Sequence, residues 1–171
     1  RPQADIPQLS LVAGLAAAEA VLQMTNLFVS IRWPNDLLLA GKKVCGILLE
    51  AKNGAAIIGL GINVTTDPRE LPDIATSLHA AGAVCDPLEL TSELCDRFDA
   101  WYDVWTKQGF GPIREALRSW IGLFGHPVQL TAGSEQLQGT AVDLDEQGRL
   151  VVRLDSGVQR SFEAGEVTLL R

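Results

Sequence analysis

Arg32-Trp33-Pro34-Asn35-Asp36 is followed at short range by Gly41-Lys42-Lys43-Val44-Cys45-Gly46-Ile47-Leu48-Leu49-Glu50, and then by Gly59-Leu60-Gly61-Ile62-Asn63. Short apolar runs alternate here with turn chemistry at Pro34-Asn35-Asp36, Gly41 and Asn53-Gly54. Phe28 to Arg32, Leu37 to Ala40, Lys43 to Ala51 and Ala55 to Gly61 are therefore expected to be four strands. Successive strands joined by such short turns must be antiparallel. Upstream, Leu11, Val12, Leu15, Ala18 and Leu22 recur at helical spacing and predict a helix from about Ser10 to Gln23, rich enough in alanine to pack closely on a sheet.

Downstream, Leu90, Leu94, Phe98, Trp101 and Trp105 mark an amphipathic helix from Asp86 to near Gly109. Gly111-Pro112 opens another, with Ile113, Leu117, Trp120 and Ile121 as its apolar face and Gly122 as its stop. Beyond Leu123 the pattern changes to five short runs, Val128 to Thr131, Leu137 to Val142, Leu150 to Leu154, Gln159 to Phe162 and Val167 to Leu170. The expectation is an α/β (α+β) protein: a largely antiparallel mixed sheet packed on helices in residues 1–122, and a small C-terminal β-barrel in residues 123–171.

At 171 residues the chain is long enough to bury roughly 70% of its unfolded surface. Its 47% hydrophobic and 20% charged residues are ordinary for a folded soluble protein. A net charge of −7 and a pI near 4.8 argue against a nucleic-acid surface, which needs clustered Lys and Arg. Cys45, Cys85 and Cys95 have neither metal-ligand nor disulfide spacing, so reduced thiols in a cytoplasm are expected. The longest apolar run, Leu11 to Leu22, is shorter than the about 20 residues a bilayer requires and contains Glu19, so neither a membrane span nor a signal peptide is expected.

Pro34 restricts the backbone at the end of a strand, so Asn35 and Asp36 project from a fixed corner. From residue types alone, side chains that satisfy turn amides are the simpler account of both. The order and spacing of the three motifs change that weighting. They resemble the biotin-protein ligase family, whose members carry a K/R-W-P-N-D segment, a K-x-x-G-I-L-x-E strand and a G-x-G-I-N strand. The resemblance continues through Pro72-Asp73-Ile74-Ala75-Thr76-Ser77-Leu78 into the terminal β-unit and covers essentially the whole chain.

The resemblance implies a two-step ligase. Biotin's carboxylate attacks the α-phosphate of ATP to give biotinyl-adenylate, and a lysine of a biotin carboxyl carrier protein domain then takes the acyl group. The first step brings two anions together, so a lysine and a divalent ion such as Mg²⁺ are implied to cancel the repulsion. Lys43 matches the family's active-site lysine and is assigned to the biotin carboxylate and the α-phosphate. Gly46 and Leu48 are assigned to biotin, the glycine letting the ring approach the backbone and the leucine supplying apolar wall. Asn63 is assigned to the adenine edge, Trp33 to the border of the adenylate pocket, and Asn35 with Asp36 to the α-phosphate or its metal. Arg32 stands where many members have lysine. Strict alternation would put Lys43 on the opposite face from Gly46 and Leu48, so Lys43 is expected at an irregular strand start.

Two departures from the family pattern bear on activity. The Gly-Arg-Gly-Arg-x-Gly loop that closes over the adenylate, and the Ser-Thr-Asn and Gln elements that contact biotin, have no counterpart in the 171 residues. Arg1 is thus expected to begin inside the catalytic domain of a longer ligase. No helix-turn-helix is present to support repressor activity. The terminal Arg171 is left out of the site because its register is off by one residue. The alternative reading is a truncated, noncatalytic module that binds biotin-adenylate, docks the carrier domain or forms a homodimer through a sheet edge.

Overall fold

The computed structural model describes residues 7–52 and 55–170. The expected turn at Asn53-Gly54 and the terminal Arg171 lie outside the described residues.

Helix α1, Gln8–Thr25, is the element on which the rest is built. Leu9, Leu11, Val12, Leu15, Ala16, Ala17, Ala18, Ala20 and Val21 are all buried, so the helix is covered around most of its circumference rather than along one stripe. It extends beyond the apolar run at both ends, and Gln8 in its first turn finds polar partners inside the protein. Its 18 residues are long and apolar enough to cross a membrane by length and composition, yet most of them are buried as a core helix. Gly14 and the alanines let the sheet come close: a Cβ at Gly14 would lie 3.4 Å from Ile47 Cδ1. Asn26 ends the helix in the left-handed conformation, its N–H bonded to Leu22 O at 2.9 Å.

On one side of α1 lie β1 (Ser30–Arg32), β2 (Asp36–Leu39), β3 (Lys42–Lys52) and β4 (Ala55–Ile62), paired in that order and antiparallel throughout. The expected mixed character is reduced to one parallel bridge, Lys43 to Ala75, contributed by the segment after β4. Helix α2 (Pro87–Gln108) packs on α1. It starts where Asp86 accepts from the N–H groups of Leu88 (2.7 Å) and Glu89 (3.2 Å), with Pro87 in the first turn. Arg97 and the indole N–H of Trp101 both reach Glu19 of α1, at 3.1 and 3.0 Å, which neutralises the one acid of that helix.

Helix α3, Gly111–Leu117, is shorter than expected. The chain leaves it at Leu117, and the Trp120 carbonyl then accepts from the Ile31 N–H of β1 at 2.7 Å. A tertiary hydrogen bond outweighs the helical spacing of Trp120 and Ile121, which are buried all the same.

The remaining strands are β5 (Pro127–Ala132), β6 (Glu135–Leu144), β7 (Leu150–Leu154), β8 (Gln159–Phe162) and β9 (Glu166–Leu169), in sheet order β8-β7-β6-β5-β9. The expected barrel does not close. Only residues 163–165 separate the two edge strands, which draws the sheet into a curl, but the chain passes on from β8 to β9 without folding back as a hairpin and no ladder joins them. Gly139 marks the tightest point of this sheet: a Cβ there would sit 2.5 Å from the Arg153 carbonyl oxygen. Val128, Leu130, Ala141, Leu144, Leu150 and Val152 close its inner face and join the core around α1 as one cluster.

Candidate active site

The corner between β1 and β2 carries Trp33, Pro34, Asn35 and Asp36, with a cis Trp33-Pro34 bond. Asp36 pairs across the ladders with Arg32 on one side and Gly46 on the other. Asp36 is 7% exposed, and Arg32 Nη2 meets its Oδ2 at 2.5 Å while Lys43 Nζ meets its Oδ1 at 2.5 Å. The Lys43 contact is an ion pair outside hydrogen-bonding angles, so Oδ1 is neutralised but accepts no hydrogen bond. Two half-exposed cations thus share one buried anion, which leaves a local excess of positive charge on a molecule of net charge −7.

A bulge explains how Lys43 reaches this position. Leu37 pairs with Cys45 and Leu38 with Lys43, so Val44 is an extra residue in β3. Val44 and Cys45 consequently both turn inward, at 0% and 1% exposure. The inserted residue resets the alternation and places Lys43 on the same face as Gly46, which is the irregularity the sequence required. The Lys43 side chain runs over the space a side chain at position 46 would fill: a Cβ there would lie 3.0 Å from Lys43 Cε and 3.1 Å from Nζ. Burial pushes the Cys45 thiol up to about 12, and the Asp36 charge adds to this more than Lys43 offsets it. Cys45 is therefore an uncharged packing group beneath the site.

Above this face lies a cleft of about 440 Å³ lined by Asn35, Lys43, Gly46, Leu48, Gly59 and Gly61. Gly46 faces Gly61 and Leu48 faces Gly59 across the β3–β4 ladder, so the floor is bare backbone beside an apolar side chain that is 63% exposed. A Cβ at Gly59 or Gly61 would meet only ordinary contacts at 3.9 and 4.0 Å. The protein's own packing does not demand these glycines; the space above them is what they preserve. Neither glycine was assigned to the site from the sequence. Their alternation opposite Gly46 and Leu48 was the available signal.

A second cleft, of about 430 Å³, shares Asn35 and Lys43 and is walled by Arg32, Asp36, Ile74 and the β9 residues Glu166 to Thr168. The segment that includes Ile74 is held by Lys43 N donating to Ile74 O and Thr76 N donating to Lys43 O, each at 2.9 Å. The sequence marked residues 72–78 but gave them no task, because a single parallel bridge has no local pattern.

Asn35, Asp36, Lys43, Gly46 and Leu48 are thus brought together. Asn35 is anchored to β3, its Nδ2 donating to Ile47 O at 2.9 Å and its carbonyl accepting from Ile47 N at 2.8 Å. Asn63 is engaged elsewhere, and Trp33, though it helps to line the second cleft, uses its indole N–H within the fold. Asn63 Nδ2 donates to Thr76 O at 3.0 Å and its backbone pairs with Val44 and Leu78, so it clamps the end of β4 to residues 76–78 and does not line the first cleft. Trp33 is 2% exposed, and its indole N–H donates to Gly148 O at 3.1 Å, so that donor belongs to the fold. Among the described residues no group of three or more His, Cys, Asp or Glu could hold a metal ion. Asp36, with both oxygens against cations, does not by itself form a Mg²⁺ cradle.

Comparison with known proteins places these features in context. Residues 1–67 match the family model described as "Biotin/lipoate A/B protein ligase family", and residues 123–170 match "Biotin protein ligase C terminal domain". The bifunctional ligase/repressor BirA of Bacillus subtilis is 31% identical over 95% of this chain, and the chain spans 53% of that relative, about half its length. The biotin--[acetyl-CoA-carboxylase] ligase of Paracoccus denitrificans is 32% identical, with 89% of this chain and 69% of the relative covered. A crystal structure of biotin protein ligase from Aquifex aeolicus superposes with a TM-score of 0.86 at 30% identity, covering 98% of this chain and 76% of that one. The same Aquifex aeolicus ligase in complex with biotin and ATP gives a TM-score of 0.84 at 31% identity, over 97% and 72%.

Proposed function

Since the chain belongs to the biotin protein ligase family, we propose that it forms the biotin- and ATP-facing part of a ligase that makes biotinyl-5'-adenylate and transfers the biotinyl group to a lysine of a biotin carboxyl carrier protein domain. The observation that carries the proposal is the bulge at Val44, which brings Lys43 over Gly46 beside a glycine-floored cleft. Joining two anions requires cations aimed at the place where charge gathers, in a site whose donors are already positioned. Lys43 and Arg32 are such cations, and Asp36 holds both while keeping them from repelling one another.

Biotin lies over Gly46, Gly59 and Gly61, with Leu48 as its apolar wall and Lys43 at its carboxylate. The nucleotide lies toward Asn35 and the second cleft, where Arg32 faces its phosphates. Asn63 acts from the adenine side through the 76–78 segment that it fixes, and Trp33 through the corner that it anchors. Mg²⁺ is absent from these assignments: charge neutralisation is assigned to the side chains present. The chain divides at residues 122 and 123 into a catalytic portion and a C-terminal β-unit, a division supported by the start of the second family match at residue 123. A cytoplasmic location is part of the same proposal, supported by the three free cysteines.

The eight-residue edge strand β4 supports a second reading, in which the chain docks the carrier domain or a second copy along that edge. Lys43 separates the two, since edge pairing through backbone groups does not use it.

Because the 171 residues contain no Gly-Arg-Gly-Arg-x-Gly loop, binding is the appropriate test. Calorimetry with biotin, followed by ATP, should give saturable binding, and Lys43→Gln should weaken it roughly 10- to 100-fold through loss of a charged hydrogen bond. Equal binding by Lys43→Gln and the natural chain would refute the assignment.

A further inference from the structure

Trp33 donates its indole N–H across the molecule to the Gly148 carbonyl, a hydrogen bond buried between the first sheet and the β6–β7 turn of the second. That turn, residues 145–149, is stiff in its own right. Asp145 Oδ1 accepts from the N–H groups of Gln147 and Arg149, each at 3.0 Å, and Oδ2 from Arg149 Nε at 2.7 Å. Burial raises the Asp145 carboxyl, but the bonds from Arg149 and its other donors outweigh this and hold it below the ordinary carboxylate range. Gly148 has φ +79°, and a Cβ there would lie 3.0 Å from Leu11 Cδ1 and 3.4 Å from the Phe110 ring. The turn is therefore pressed onto α1 at a position whose backbone and neighbours both favour glycine. Gln8, 3% exposed, ties it a second time: Nε2 donates to Glu146 O at 2.9 Å while Oε1 accepts from Trp105 Nε1 at 2.7 Å.

The corner that carries Asn35 and Asp36 is held from three sides. Ser10 Oγ of α1 donates to Pro34 O at 3.3 Å, Ile47 of β3 bonds Asn35 twice, and Gly148 fixes Trp33. Only the last comes from the C-terminal sheet. We propose that the 145–149 turn is a positioning element for the candidate site: through Gly148 it sets Trp33, and through Trp33 it sets where Asn35 and Asp36 stand relative to Lys43. The functional weight of this coupling rests on the proposed ligase reading; the coupling itself is a property of the ligand-free protein. It gives Trp33 a positioning role beside its place in the wall of the second cleft.

Hydrogen exchange on the ligand-free chain tests it, with the Ile47 amide, bonded to Asn35 O, as reporter and the Asn63 amide, bonded to Val44 O, as control. Trp33→Phe removes the donor and keeps most of the ring; Gly148→Ala displaces the acceptor. Each should speed exchange at Ile47 about tenfold, the effect of one buried hydrogen bond. The double variant should add little, and Asn63 should change less than about twofold, well below the tenfold expected from losing a hydrogen bond. Unchanged exchange at Ile47, single effects that multiply in the double variant, or equal acceleration at both amides would each overturn the proposal. If Gly148→Ala does not fold, Gln8→Met, which releases the second tie to the turn, should move Ile47 in the same direction. ATP calorimetry on the same proteins judges the ligase reading separately: a natural chain that binds no ATP sinks that reading and leaves the exchange result standing.

Discussion

Gly46 gives the sharpest single-residue expectation. The atoms that a Cβ at this position would crowd are the far end of the Lys43 side chain, which can move, and not backbone, which cannot. Gly46→Ala should therefore fold, with a melting temperature within about 4 °C of the natural chain, about 1 kcal/mol by the usual scaling. It should nevertheless lose at least about tenfold in biotin affinity, because the ammonium is displaced and the bare floor is filled. Calorimetry beside a thermal melt separates the two effects. Cys45 gives an expectation in pH. Its thiol is raised from 9.0 to about 12, so the folded state holds a proton that the unfolded chain releases above pH 9. The stabilisation is complete below that pH and fades as pH climbs toward 12. Melting temperatures measured from pH 8 to 11 should fall more steeply for the natural chain than for Cys45→Ala. The glycines and the lysine were legible as letters, but which face each occupied was not. A one-residue bulge inverts every later side chain, and nothing in Val44 itself announces that it is the extra residue.

Among the elements, α2 was the most legible in advance, since its start is written in short-range chemistry. Asp86 caps Leu88 and Glu89, and Pro87 enters the first turn. Asp86→Ala should cost about 1 kcal/mol, measurable as a shift in denaturant midpoint with no change in slope. The strands of the first sheet were equally readable because each is bounded by turn residues. Helix α3 was overextended, since the bond from Ile31 to the Trp120 carbonyl is a long-range event invisible to periodicity. The C-terminal strands were found one by one, yet their closure into a barrel was not decided by any of them. Closure depends on whether the two edges come into register, and residues 163–165 carry the chain past that point.

At the scale of the whole molecule, the two sheets share one hydrophobic cluster that runs from Leu9 to Val167. Arg118 after α3 to Asp143 at 2.6 Å, Gln8 of α1 to Glu146 and Trp33 of the β1–β2 corner to Gly148 tie the C-terminal sheet to the rest of the chain. A single calorimetric transition, with van't Hoff and calorimetric enthalpies in agreement, is expected. Two resolved transitions would mean that the sheets are independent units despite this core. By itself the sequence determined the element types and the antiparallel first sheet, which follow from local propensity and turn chemistry, and it marked the residues of the candidate site through the motif order that resembles the family. Tertiary structure alone decided that Lys43 shares a face with Gly46, that Asp36 is buried between two cations, and that Trp33 and Asn63 hold backbone from distant segments. Those outcomes depend on strand register and on which carbonyls come within reach across the fold, and both are set by the packing of the whole chain.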